Sequence, residues 1–469
     1  MNRKTWMLVL TAAFVGSFVL PALAAEEEVV HDASTCPICQ SKARMNELVP
    51  WISWGADLRL REVYGPNLAS LAKNADGAER HFQRYRMRAW TKMTPFQDID
   101  ELKGMAVNFR MVYEPRHNCK KKDADPVWTW SEGIIDKLNV QWKKPFDLPM
   151  DVTIGRQDII LGRGWLVLDG TPLDGSRTIY FDAVRFSLDL QEQLQTKAEL
   201  IYLDQNADSD WWLNPTCDKE FNVVEADERG AIVYLTNKSL ENMTLGGFFM
   251  YKHEEGVQGL PMLPAGATAD TYCVGGSLET KLNDQLSLYA QGAHQFGNRD
   301  GADINAWGFV SSLAYAMQDQ CNTVAKVSYE VLTGDDGGTG QWEQFDPMWG
   351  RWPQWSELFV YPIAAENGRP GAITNFHRVG LDLSTEPMDD LKVSGGYHLL
   401  FRDSKSDANI APNGNGCIRG HLLKALAAYT FNPHVKTHVV GEVFLPGDFY
   451  TGARNDAAGF FRWEWMFTW

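Results

Sequence analysis

The 469 residues carry 60 Asp and Glu against 44 Lys and Arg, a formal net charge of −16, and that acidic balance argues against a nucleic-acid partner. With 40 Gly, 18 Trp, 15 Tyr and 23 Phe beside 44% apolar residues, the composition fits an exported β-rich protein. Beyond Leu20 no run approaches the roughly 18 consecutive apolar residues of a membrane helix, so any bilayer crossing has to be made by a closed β-barrel.

The chain begins with a basic head (Asn2, Arg3, Lys4), an apolar run from Met7 to Leu20 and the small-residue site Ala22-Leu23-Ala24, which together read as a secretory signal over residues 1–24. Its removal leaves 42 basic against 60 acidic residues, a mature net charge of about −18. Residues 25–50 read as a short periplasmic lead, too small for a domain. They contain the motif Cys36-Pro37-Ile38-Cys39. No His follows Cys39, so this is not a c-type haem attachment, and no second CxxC completes a zinc site. A local disulfide or plain thiols is the favoured reading, and no metal or other cofactor is expected. Of the other cysteines, Cys119, Cys217 and Cys417 fall in expected loops, and Cys273 and Cys321 near strand ends.

From residue 51 to residue 469 the pattern is one of alternation. Eighteen period-two runs start near Ile52, His81, Gly104, Ser131, Asp151, Ile179, Lys197, Gly230 and Thr244, then near Asp270, Gln285, Asn305, Asn322, Thr374, Leu391, Ile418, Val435 and Gly459. Their length, roughly 8 to 14 residues, suits a tilted strand crossing a bilayer. The gaps after odd-numbered runs are long (65–80, 115–130, 161–178, 205–229, 253–269, 294–304, 332–373, 402–417 and 445–458), and those after even-numbered runs are short. Short turns on one side and long loops on the other predict an all-β fold: a transmembrane antiparallel barrel of about 18 strands, placed in the outer membrane.

Parity separates lipid-facing from inward-facing residues. In the segment FQRYRMRAWTK, Arg84, Arg86, Arg88 and Lys92 share one face while Tyr85, Met87 and Ala89 share the other. By the same rule Arg59 and Arg61 point inward with Asp57, as do Arg110 and Arg462 with Glu464. Cations outnumber carboxylates in this set, while acid gathers in loops such as the one holding Asp208, Asp218, Glu225 and Glu228. A basic interior focuses the field on anions, and arginine adds two-point recognition of carboxylate, so the expected solute is an anionic saccharide or another anionic molecule. A general anion-preferring porin, or a structural or adhesive barrel, is the alternative.

Residues 152–172, VTIGRQDIILGRGWLVLDGTP, followed by SRTIYFDAVRFS, resemble the alginate export family of outer-membrane barrels. The shared positions are Gly155, Arg156 and Gln157, then Arg177, Phe181, Asp182, Val184 and Arg185. TGDD at Thr333 to Asp336 with FDP at Phe345 to Pro347, and GEVFLPGDFY from Gly441 to Tyr450, match as well. The resemblance implies an 18-stranded barrel that passes a polyuronate through an arginine-rich constriction, with Arg156, Arg177, Asp182 and Arg185 on the path. Parity sets two conditions on it: Arg156 shares a face with Val152 and Ile154 unless a bulge at Gly155 resets the register, and Asp182 and Arg185 lie on opposite faces.

The longest loop, 332–373, carries Trp342, Trp349, Trp352 and Trp355. These rings could stack on sugar or, the favoured reading, hold the loop together as an aromatic plug. In the final run Phe461, Trp463, Trp465, Phe467 and Trp469 share one face, which suits lipid and resembles the terminal signal read by the barrel assembly machinery. Without a GxSxG-type nucleophile motif, an enzyme is not expected.

Overall fold

The computed structural model describes residues 36–75, 78–120, 127–129, 133–168, 180–208, 212–217, 224–260, 263–350, 353–367, 373–404, 414 and 416–469. The expected signal segment, Arg177 and Trp352 lie outside them. A helix, α1 (Pro37–Leu48), precedes the strands. They are β1 (Ile52–Gly65), β2 (Arg80–Met93), β3 (Met105–Tyr113 continued by Arg116–Lys120), β4 (Val127–Thr129 continued by Gly133–Lys143), β5 (Met150–Gln157) and β6 (Phe181–Leu190). Next come β7 (Thr196–Gln205), β8 (Asp227–Asn237), β9 (Met243–Glu255), β10 (Thr268–Lys281), β11 (Leu286–Arg299) and β12 (Ala302–Ala316). The last are β13 (Val324–Leu332), β14 (Phe376–Met388), β15 (Leu391–Phe401), β16 (Ile418–Asn432), β17 (Val435–Pro446) and β18 (Ala458–Thr468).

Each strand pairs antiparallel with its neighbours in sequence, and β18 pairs back onto β1 from Asp57↔Thr468 to Tyr64↔Phe461. The result is a closed 18-stranded barrel with no free sheet edge. No helix among the described residues is long and apolar enough to cross a membrane. The outer face carries the apolar residues that parity assigned to lipid: on β18 Phe461 and Trp463 are exposed, while Arg462 and Glu464, which alternate with them, are buried.

Seventeen strand starts fall within three residues of those expected from alternation, and β4, expected near Ser131, starts four residues earlier at Val127. Two loops depart from expectation. The expected loop at 294–304 is a two-residue turn, because Asp300 and Gly301 both take positive φ (48° and 90°), the Asp-Gly hairpin geometry that lets β11 and β12 run together to Arg299↔Ala302. The expected loop at 115–130 begins as strand: β3 resumes after Pro115 and pairs with β2 as far as Lys120. Cys119 therefore lies in a strand, Cys273 lies in the middle of β10 and Cys321 in the turn between β12 and β13. All seven cysteines are free thiols.

The main apolar core lies inside the barrel. It joins wall residues such as Phe181, Leu203, Ile232, Phe248, Leu422 and Phe444 to residues from loops: Leu68 and Leu71, Leu166 and Val167, and Phe345, Trp349, Leu358 and Phe359. Loop side chains that would be stranded in water outside are buried here, each gaining about 1.5–3 kcal/mol. The long loop with its helix α2 (Val360–Asn367) is thus folded inward.

Candidate functional site

Pairing of β1 with β2 sets Asp57 opposite Arg88, Arg59 opposite Arg86 and Arg61 opposite Arg84, all on the inward parity. Like charges directly opposite repel unless something bridges them. Three carboxylates do so. Glu114, at the Glu-Pro break in β3, accepts from Arg59 Nη2 at 2.7 Å and also from Arg84 Nε. Glu464 on β18 accepts from Arg61 Nε at 2.5 Å and lies 3.8 Å from Arg59. Asp57 accepts from Arg88 Nε at 2.7 Å and lies 3.7 Å from Arg86. Among these eight described side chains, five arginines thus share three carboxylates, an excess of two positive charges. Arg59 and Arg86 are buried at its centre, whereas the side chains of Arg84 and Arg88 keep 19% and 13% of their surface.

Trp90 extends this wall on the same parity, a residue that alternation assigns to the inner face but that sequence reasoning passed over. It lies across Gly55, where any side chain would collide with the indole. Lys92 follows at the short-turn end, opposite Ser53 and Asn108.

The other expected path residues are neutralised more fully. Arg110 is buried between Asp136 at 2.8 Å and Asp158 at 2.7 Å, and Lys137 joins Asp158. Arg185 forms a two-point pair with Glu199 at 2.8 and 2.9 Å. Arg462 meets Glu357 of the long loop at 2.8 Å and His438 at 3.1 Å. Across the described residues the buried side chains include ten basic and ten acidic ones.

Arg156 and Asp182 do not belong to that wall. They pair with each other, both bonds at 2.9 Å, on the parity of the outward Ile154 and Val184 at the long-loop end. Tyr180 stacks 3.7 Å from the guanidinium, and the Trp212 indole donates to Asp182 at 2.9 Å. Ile154 is exposed and Arg156 buried although both have the same parity, because Gly155 between them takes φ +114° and turns the backbone. A Cβ at Gly155 would stand 2.4 Å from the Leu138 carbonyl oxygen. Gly155→Val is therefore expected to lower stability by about 1–3 kcal/mol, read as an earlier urea midpoint of the detergent-folded barrel.

The tryptophans of the long loop divide in the same way. Trp349 and Trp355 are 0% and 7% exposed and offer no face to a sugar. Trp349 donates to Glu228 at 3.1 Å, and the Trp355 carbonyl accepts from Lys424 at 2.6 Å. Trp342 is half-buried, with the Arg299 guanidinium 4.4 Å over its ring. Further anchors are Lys252 to Asp346 at 2.5 Å, Arg419 to Glu366 at 2.6 Å, and Ser356 with the Glu357 and Leu358 amides on Glu442. These polar anchors fall on β8, β9, β16 and β17, and the Arg462–Glu357 pair adds one on β18, next to β1. Outside the strands, the Cys36 thiol is drawn down to about 7 by the Cys39 amide and thiol.

No curated protein matches the chain. Solved structures do: Pseudomonas aeruginosa OccK11 (OpdR) at TM-score 0.53 and 11% identity, covering 88% of this chain and 95% of that one. OccK5 (OpdH) of the same organism gives 0.54 and 10%, covering 89% and 98%, and OccK7 (OpdD) 0.54 and 10%, covering 89% and 99%. Identity that low carries the fold alone. A family model described as alginate export matches residues 52–463, nearly the whole barrel, and the chain belongs to that family.

Proposed function

We propose that this outer-membrane channel passes an acidic saccharide of the polyuronate type along the arginine wall of β1 and β2. The observation that carries the reading is the surplus of two cations there, with Arg84 and Arg88 still partly open to solvent. A carboxylate moving past can replace part of the bridging by Asp57 and Glu114, and planar guanidinium groups suit it in a two-point contact. The inward-folded loop is anchored from β8 round to β18, where Glu357 meets Arg462, and the path runs between it and the arginines of β1 and β2. Trp90 offers a ring beside the arginines on which a sugar could stack. The apolar outer face meets lipid, and the aromatic outward face of β18 is the segment for the barrel assembly machinery.

The test is single-channel recording of the refolded protein in a planar bilayer, with ion selectivity and block by an oligouronate or a neutral oligosaccharide. Anion selectivity with block by the charged sugar alone supports the reading. The Arg84→Gln/Arg88→Gln double variant, in which Arg59 and Arg86 still compensate Glu114 and Asp57, is then expected to weaken block at least about tenfold, since a charged hydrogen bond contributes about 1.5–3 kcal/mol. Anion selectivity without block would indicate a general porin, and a silent bilayer a structural barrel. Cation selectivity would overturn the assignment.

A further inference from the structure

We propose that Cys36, Cys39 and His434 form a binding site for a thiophilic metal ion, Zn2+ or Cu+, which clips α1 to the turn between β16 and β17. The Nε2 atom of His434 lies 3.1 Å from Cys36 Sγ and 3.5 Å from Cys39 Sγ. The three donor atoms all fall within 4.8 Å of one another, although 395 residues of chain separate Cys39 from His434. Closure of the barrel between β18 and β1 is what brings them together.

The imidazole is already aimed. Its Nδ1 lies 2.9 Å from the Thr468 carbonyl oxygen, which can only accept, so the ring proton belongs on Nδ1 and the Nε2 lone pair points at the sulfurs. That is the backbone-carbonyl support commonly found behind metal-bound histidines. On the other side, Pro37 opens the helix with Cys36 as its N-cap, and one turn later Cys39 presents its thiol toward the same point.

An independent observation asks for such a clip. α1 has twelve residues and none of them is buried. A helix this short is marginal in water without packing. The metal would supply the attachment that apolar contacts do not. The donor set of two thiolates and one imidazole selects soft or borderline ions, and its lack of carboxylate excludes Ca2+ and Mg2+ as the natural occupant. Three ligands suit trigonal Cu+, or Zn2+ completed by water.

The experiment uses the full mature protein in detergent, reduced with a phosphine, and titrated with Co2+ as the spectroscopic substitute for Zn2+, then with Zn2+ and Cu+ against competing chelators. One equivalent is expected, with a thiolate-to-cobalt charge-transfer band that disappears in Cys36→Ser/Cys39→Ser. His434→Ala should weaken binding at least about tenfold, and Cys217→Ser/Cys417→Ser should leave it unchanged. Tryptic cleavage at Lys42 and Arg44 should slow on loading, because α1 is then held. Tighter Cu+ than Zn2+ would assign the trigonal form, and the reverse the water-completed form. Unchanged affinity in the His434 variant, or a retained charge-transfer band in the double Cys variant, overturns the proposal. So does protein from membranes whose Cys36 and Cys39 are already joined as a disulfide.

Discussion

Glu114→Gln destabilises the barrel by about 3 kcal/mol and makes the channel more anion-selective. The estimate rests on what the carboxylate leaves behind. Removing one partner of a buried ion pair typically costs 3–5 kcal/mol because the remaining charge stays buried without compensation. Here Arg59 is only 1% exposed and loses its 2.7 Å partner. Glu464 lies 3.8 Å from it and already serves Arg61. Arg84 loses its Glu114 contact too, but its partial exposure lets water replace much of the interaction, which places the cost near the lower bound. Glutamine conserves volume, so packing around Glu114 contributes little to the change. The urea midpoint in micelles reads the stability, and reversal potential reads the selectivity, since the wall then carries three surplus cations in place of two. Added anions should recover part of the lost stability in the variant and little in the parent. An unchanged midpoint together with unchanged selectivity would mean that Glu114 does not hold the arginine wall together.

The inward placement of these arginines is legible from alternation, since Met87 and its neighbours claim the lipid face. Their partners are not. Which arginine opposes which depends on the register between β1 and β2, and Glu114 falls beyond the regular part of β3, where no periodicity assigns a face. The same limit explains the two breaks in parity. Gly155 turns the chain through a conformation open to glycine, and a register shift between Arg110 and Met111 brings Asp136 inward as an extra residue. The buried bases Lys252, Arg419 and Lys424 escaped attention for a different reason, because their partners lie in the long loop and nothing in a local pattern says that the loop folds inside. Asp300-Gly301, by contrast, is legible in the sequence as hairpin turn chemistry, which outweighs the alternation of loop lengths there. The sulfur and imidazole cluster at Cys36, Cys39 and His434 depends wholly on barrel closure.

The long loop offers the other large effect. Replacement of residues 333–375 by an Asn-Gly turn is expected to leave a folded barrel whose conductance is several-fold higher. The strands on either side are already paired to their ends, Leu332 opposite Phe376, so a two-residue link of the kind that joins Arg299 to Ala302 closes the gap without strain. Closure of the wall depends on strand pairing from β1 round to β18, while the loop adds a short parallel bridge from Trp342 to the end of β12 at Ile304, which the replacement removes. What leaves the interior is Phe345, Trp349, Trp355, Leu358 and Phe359, all buried against the wall. The wall residues Phe248, Leu422 and Phe444 then face water, at a cost of about 1.5–3 kcal/mol each, so an earlier unfolding midpoint accompanies the wider pore. Lys252, Lys424 and Glu442 also lose loop partners, but water reaches them at the same moment and their charges are not stranded. Trp349→Ala provides the contrast. It removes a fully buried indole at a cost of about 3–5 kcal/mol while the rest of the loop stays anchored through Glu442 and Arg419, so stability falls and conductance changes little. If the loop replacement folds and its conductance equals that of the parent, the narrowest passage is not bounded by this loop. The inward segment 158–168, which reaches Glu279 through Arg163 and Glu330 through Trp165, would then be the wall that faces the arginines.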